Sequence, residues 1–78
     1  MAEFARLFEL PNNNQVLLTL EYDNEDNSFE IKVRSEINGA TASLSFGFDT
    51  EEKALKMLEE FNLLNAKNAR NEMMNVLM

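Results

Sequence analysis

The sequence predicts an α+β fold, a four-stranded antiparallel meander with strands in chain order and a C-terminal helix packed across one face. Three observations predict it. Apolar and charged residues alternate between Phe29 and Ile37, the Asn38-Gly39 dipeptide favours a tight hairpin, and after Asp49 the apolar spacing becomes helical. The 78 residues have room for one domain, with strands expected near 3–10, 15–22, 28–37 and 40–48, a helix near 50–64 and a helical tail near 66–77.

The first segment, Glu3 to Leu10, is apolar on both sides, with Phe4, Phe8 and Leu10 on one and Ala5 and Leu7 on the other. If Phe4 and Phe8 face the core then so does Arg6, which a sheet edge tolerates because the guanidinium can reach out to water. A bulge is the other solution. Pro11 followed by Asn12, Asn13 and Asn14 reads as a turn, since Pro sets φ and Asn tolerates left-handed backbone. From Gln15 to Tyr22, the residues Val16, Leu18, Leu20 and Tyr22 share the core side, while Gln15, Leu17, Thr19 and Glu21 share the other. Asp23 to Asn27 is an acidic connection of ordinary length.

In the third strand Phe29, Ile31, Val33 and Ile37 alternate with Glu30, Lys32, Arg34 and Glu36. Asn38 and Gly39 suit a two-residue type I′ turn, whose twist matches that of the flanking strands. Such a turn fixes the register, so that facing residues have numbers summing to 77: Ile37 meets Ala40, Val33 meets Leu44, Ile31 meets Phe46 and Phe29 meets Phe48. A slip by one residue would turn every one of these to the wrong face, so turn chemistry and side-chain pattern agree. The outer face sets Glu30, Lys32, Arg34 and Glu36 against Gly47, Ser45, Ser43 and Thr41. The aromatic residues Tyr22, Phe29, Phe46 and Phe48 are assigned to the core.

Asp49 with Glu52 three residues on can cap a helix start, with Thr50 as the alternative cap and Glu52 and Lys56 as an i,i+4 pair. Ala54, Met57, Leu58 and Phe61, flanked by Leu55 and Leu64, form the stripe expected against the sheet. Beyond Asn62 the stripe shifts by about a quarter-turn, to Ala66, Ala69, Met73, Val76 and Leu77. Either the helix bends or its tail serves another surface. A break is expected within 62–66, with Asn62 or Asn65 as a left-handed C-terminal residue or as the cap of a second helix.

Composition excludes much of chemistry. With no His and no Cys there is no imidazole base, thiol nucleophile, disulfide or ordinary zinc site. An enzyme is not expected, nor is any cofactor. The acidic run Glu21, Asp23, Glu25 and Asp26 resembles part of a calcium loop, but Ser28 stands where that loop needs Gly and Arg34 where it needs its bidentate Glu, so no metal is expected. Met1 to Leu10 has no signal-peptide pattern and no stretch is long enough to span a membrane, which points to a cytoplasmic location.

What remains is binding. The leading expectation is a non-catalytic protein-binding module, with Glu21, Asp23, Glu25, Asp26, Lys32, Arg34, Ser43 and Ser45 as candidate partner-binding residues. Leu17 and Leu7 place apolar surface on the wet side of the sheet, and Met73, Met74 and Met78 make the tail adaptable. A core of this size is marginal without a staple, so a homodimer through Ala66, Ala69, Met73, Val76 and Leu77 is expected. The alternative is a single-stranded nucleic-acid binder using Lys32 and Arg34, opposed by a net charge of -7 and by the lack of an outward aromatic.

Four strands followed by a helix resemble two families in layout. One comprises the small acidic phage-encoded inhibitors of bacterial defence, anti-CRISPR proteins among them; the resemblance implies a stoichiometric inhibitor, with Glu21, Asp23, Glu25 and Asp26 standing in for phosphates. The other is the Whirly type of single-strand DNA binder, which dimerises through helices and from which this chain departs in its acidic balance.

Overall fold

The computed structural model describes residues 5–77 of the chain, the side chain of Leu77 excepted. The expectations for Glu3, Phe4, Met78 and the Leu77 side chain lie outside the described residues. Strands β1 (Ala5–Leu10), β2 (Asn14–Asp23), β3 (Ser28–Ile37) and β4 (Ala40–Phe48) form one antiparallel sheet in the order β1-β2-β3-β4. Helices α1 (Glu51–Glu60) and α2 (Leu63–Leu77) follow. The fold is the α+β meander that the sequence predicts, with two helices rather than one continuous rod.

Turn chemistry sets the registers. Asn38 and Gly39 both have positive φ, 54° and 85°, and the β3–β4 pairing runs from Ile37↔Ala40 to Phe29↔Phe48 with no bulge. Asn12 and Asn13, at φ 66° and 61°, close the β1–β2 connection after Pro11, and Asn27, at 51°, ends the β2–β3 turn. Among the described residues Asn thus takes each left-handed position that is not Gly, as its short polar side chain allows.

Residues along each strand then sort onto two faces. The inner face packs Val16, Leu18, Ile31, Val33 and Ile37 against Ala54 and Leu58 of α1 and Ala66 and Met73 of α2, all buried. The core is aliphatic, and the aromatic assignments need correction. Phe8, Phe29, Phe48 and Phe61 pack at its margin, but Phe46 is 40 % exposed and Tyr22 is 50 % exposed, so neither is a core residue. Phe46 lies on the edge strand. Tyr22 lies in the last apolar row before the acidic turn, where its ring tilts against Phe29 at 4.9 Å and its hydroxyl donates to Asn27 Oδ1 at 2.9 Å.

Helix α1 is capped by Thr50, whose hydroxyl accepts the Lys53 N–H at 3.3 Å. Asp49 is not the cap. It pairs instead with Lys53 at 3.1 Å, and this hydrogen-bonded ammonium holds its carboxyl below the usual range. The helix stops at Glu60, earlier than the expected residue 64, because Phe61 turns to an extended conformation (φ -63°, ψ 132°). Asn62 and Asn65 then form a reciprocal box. Asn62 Oδ1 accepts the Asn65 N–H at 2.8 Å, and Asn65 Oδ1 accepts the Asn62 N–H at 3.0 Å. Of the roles open to these two residues, the structure uses the cap of a second helix.

This break resolves the shift in the apolar stripe. Helix α2 starts with a new phase, so Ala66 and Met73 reach the same face of the sheet as α1, and Ala69 and Met74 pack half-buried beside them. Leu64, expected on the first stripe, is left 63 % exposed. The tail residues Ala66, Ala69 and Met73, expected at a dimer interface, are therefore spent on the protomer's own core, and Val76 alone among the described four faces outward, at 77 % exposure.

Arginines fasten both helices to the sheet. Arg6 Nη1 donates to the carbonyls of Leu58 at 2.7 Å, Glu59 at 3.1 Å and Phe61 at 2.8 Å, while its guanidinium lies 4.7 Å from the centre of the Phe8 ring. Its inward direction is used to end α1, whose last turn contains no basic residue of its own. Arg70 of α2 donates from Nε to Ser35 Oγ at 3.2 Å and from Nη2 to the Glu36 carbonyl at 3.3 Å. Ser35, the buried polar residue of the core, donates in turn to the Gln15 carbonyl at 2.7 Å.

Replacing Arg6 by Leu keeps an apolar stem but strands the three carbonyls. Arg6→Leu is expected to lower the unfolding free energy by about 1–3 kcal/mol in urea titration followed by circular dichroism. Arg6→Lys should recover only part of the loss, because an ammonium can donate to the carbonyls but does not reproduce the planar guanidinium that lies against the Phe8 ring. An unchanged midpoint in Arg6→Leu would show that water serves the carbonyls equally well.

Candidate protein-binding face

The outer face of the sheet follows from the three registers. One row runs Leu7, Leu17, Arg34, Ser43; the next runs Ala5, Thr19, Lys32, Ser45; a third runs Glu21, Glu30, Gly47. Leu7 and Leu17 are cross-strand partners, 53 % and 37 % exposed, so the face carries an apolar pair at its β1–β2 side.

Beside that pair the charges are matched within the sheet. Glu21 Oε2 lies 2.9 Å from Arg34 Nη2 and its Oε1 lies 3.7 Å from Lys32 Nζ, while Glu30 approaches Lys32 at 4.0 Å. The Thr19 hydroxyl completes the cluster, accepting from Arg34 Nη1 at 3.0 Å and donating to Glu21 Oε2 at 3.3 Å. The hydrogen bond from Arg34 is the chief reason that the Glu21 carboxyl is held below its usual range. Partial burial acts against it, and the charges of Lys32 and Arg34 and the Thr19 hydroxyl add to it.

Two cations thus face two carboxylates, and the patch formed by Lys32 and Arg34 has no net positive charge to offer a phosphate backbone. Ser43 and Ser45 lie where the sequence places them, opposite Arg34 and Lys32.

The acidic residues do not act as one group. Glu21 belongs to the sheet network, whereas Asp23 shapes the turn, its Oδ1 accepting the Glu25 N–H at 3.0 Å as in an Asx turn. Glu25 and Asp26 are exposed at the tip. Together with Glu30, part of this run lines a shallow, open concavity of about 430 Å³ that includes Tyr22 and Asn24. Among the described residues no group of three or more acidic side chains converges as a metal site would require, and no helix is long and apolar enough to cross a membrane.

Sequence reasoning missed three pairings. The Glu21–Arg34 contact depends on the β2–β3 register, which the four-residue acidic connection 24–27 does not fix as a two-residue turn would. The contacts of Arg6 and Arg70 join residues more than thirty positions apart, and only the oddity of a charge on a core-facing position hinted at the first. Compared with protein-family models, with curated proteins and with solved structures, the chain matches none.

The depressed Glu21 pKa makes a stability prediction. A carboxyl whose folded pKa lies below its unfolded value stabilises fully above the unfolded value, about 4.3 for Glu. The contribution is lost as pH falls through the folded value. Because the Glu21 side chain is more than a third exposed, the pair is worth at most about 1 kcal/mol. Melting curves from about pH 6 down to about pH 3 are expected to show Glu21→Gln less stable than wild type at the upper end, with the two converging at the lower end. Parallel curves would mean that the pairing does not stabilise the fold.

Proposed function

We propose that the chain is a non-catalytic protein-binding module that occupies another protein's surface with its outer sheet face, centred on Leu7 and Leu17. The observation that carries this reading is that exposed cross-strand pair beside a cluster of charges already satisfied within the sheet. An apolar centre within a polar rim is the anatomy of a non-obligate interface. Because Glu21, Lys32 and Arg34 are paired to one another, a partner covering the leucines need not supply a counter-charge to each. Stoichiometric inhibition, which the resemblance in layout implies, is one form that such occupancy takes.

The nucleic-acid alternative has less support. Its two cations are matched by Glu21 and Glu30, and the exposed aromatics Tyr22 and Phe46 lie on the opposite face from Lys32 and Arg34.

Immobilised protein is expected to retain a defined protein from an extract of the native host. Leu7→Lys with Leu17→Lys should weaken that retention at least about tenfold, while Leu63→Lys with Leu64→Lys, exposed at the helix junction, should leave it intact. The reading is overturned if the first variant retains the same protein. It is also overturned by oligonucleotide binding that weakens steeply with salt and disappears in Lys32→Glu with Arg34→Glu.

A further inference from the structure

Strand β4 is an edge of the sheet, and it lacks the devices that usually blunt an edge. It is nine residues long, pairs with β3 without a bulge, and from Ala40 to Phe48 contains no charged residue and no Pro. The other edge, β1, carries Arg6 and Glu9. Apolar surface runs along the β4 edge: Phe46 is 40 % exposed, Val76 of α2 is 77 % exposed, and Ala42, Ser43, Leu44, Met73 and Val76 line a notch of about 130 Å³.

We infer that β4 pairs with β4 of a second copy of this chain, antiparallel about a two-fold axis at Leu44, to make a continuous eight-stranded sheet. The side-chain sequence is self-complementary in that register. Leu44 meets Leu44, each Phe46 meets an Ala42 and each Phe48 meets an Ala40, so large residues fall against small ones. On the other face each Ser43 meets a Ser45 and each Thr41 a Gly47. Each Phe46 comes opposite the Ala42 that lines the second copy's notch, which gives this half-exposed ring an apolar place to go.

Backbone direction agrees. The two-residue turn makes Ile37 and Ala40 a hydrogen-bonded pair, so alternate residues from Ala40 point their N–H and C=O groups at β3, and Thr41, Ser43, Ser45 and Gly47 point theirs outward. The register about Leu44 pairs those outward residues with one another. Electrostatics select the same strand, because on a chain of net charge -7 it is a nine-residue segment where two copies meet with no like charges opposite. The axis lies at the far side of the sheet from Leu7 and Leu17, so this association is independent of the function proposed above.

Sedimentation of the full chain is expected to show a species of twice 9.0 kDa at micromolar concentration. The dimer should tighten as salt rises, since the two acidic protomers repel at long range. Ser43→Lys with Ser45→Lys sets like charges directly opposite and should leave a folded monomer by circular dichroism, whereas Ser43→Glu with Ser45→Lys sets opposite charges there and should restore the dimer. If the doubly basic variant fails to fold, Leu44→Cys decides. In a chain with no other cysteine it should cross-link copies through the two-fold on oxidation. A wild-type species of 9.0 kDa at every concentration overturns the inference. So does a dimer that survives the doubly basic variant, or a Leu44→Cys chain that does not cross-link.

Discussion

The carbonyl groups that α1 leaves unpaired at its C-terminus are the constraint on which the rest of the molecule depends. A helix following β4 has to cover the inner face of a four-stranded sheet, and the apolar stripe of the sequence changes phase after Phe61. One straight helix would bring Asn65 and Glu72 onto the sheet. The chain stops α1 at Glu60 and begins again at Leu63, which exposes the last carbonyls of a turn that ends in Glu59 and Glu60, the wrong charge for that end of a helix dipole. Arg6, 52 to 55 residues away in sequence, supplies the missing donors and the missing positive charge.

Once the junction is held, the rest of the inner face follows. Asn62 and Asn65 satisfy the start of α2, the new phase lays Ala66 and Met73 on the sheet, and Arg70 reaches Ser35 and the Glu36 carbonyl near the β3 end. Ser35 accepts from Arg70 and donates to Gln15, so a hydroxyl buried in the core is satisfied on both sides. The two arginines act where a larger protein would use a deeper core. Arg6 binds three backbone carbonyls and Arg70 one, groups that would otherwise need water.

How much of this was legible depended on the distance over which each signal acts. The β3–β4 hairpin is local: Asn38 and Gly39 fix the turn, the turn fixes the register, and alternation confirms it, so every pair from Phe29↔Phe48 to Ile37↔Ala40 could be read from the sequence. The helix break was visible as a change of phase, but whether the tail left the sheet or returned to it depends on the angle between two helices, which no residue pattern encodes. It returned, and Ala66 and Met73, expected at a dimer interface, became core while Val76 stayed exposed. Tyr22 and Phe46 failed for a similar reason. Their spacing gave the correct face of the sheet, while their exposure depends on how far two short helices extend over it. On the outer face, the rows could be written down from alternation, yet the pairing of Glu21 with Arg34 needed the β2–β3 register, which an irregular turn leaves open.

The two surfaces left over differ in kind, and that difference separates their uses. The outer-face patch at Leu7 and Leu17 presents apolar side chains, so a partner that covered it would gain affinity chiefly from apolar area. At the β4 edge the unpaired groups are main-chain N–H and C=O, which an extended strand can satisfy in full and a folded surface cannot. A strand that meets this edge must be uncharged on both faces and must alternate large and small residues against Ala40, Ala42, Leu44, Phe46 and Phe48. Within this chain the other strands each carry charge: Arg6 and Glu9 in β1, Glu21 and Asp23 in β2, and four alternating charges in β3. The segment that meets the requirement is β4 itself, so the feature that leaves the edge unprotected also specifies its complement.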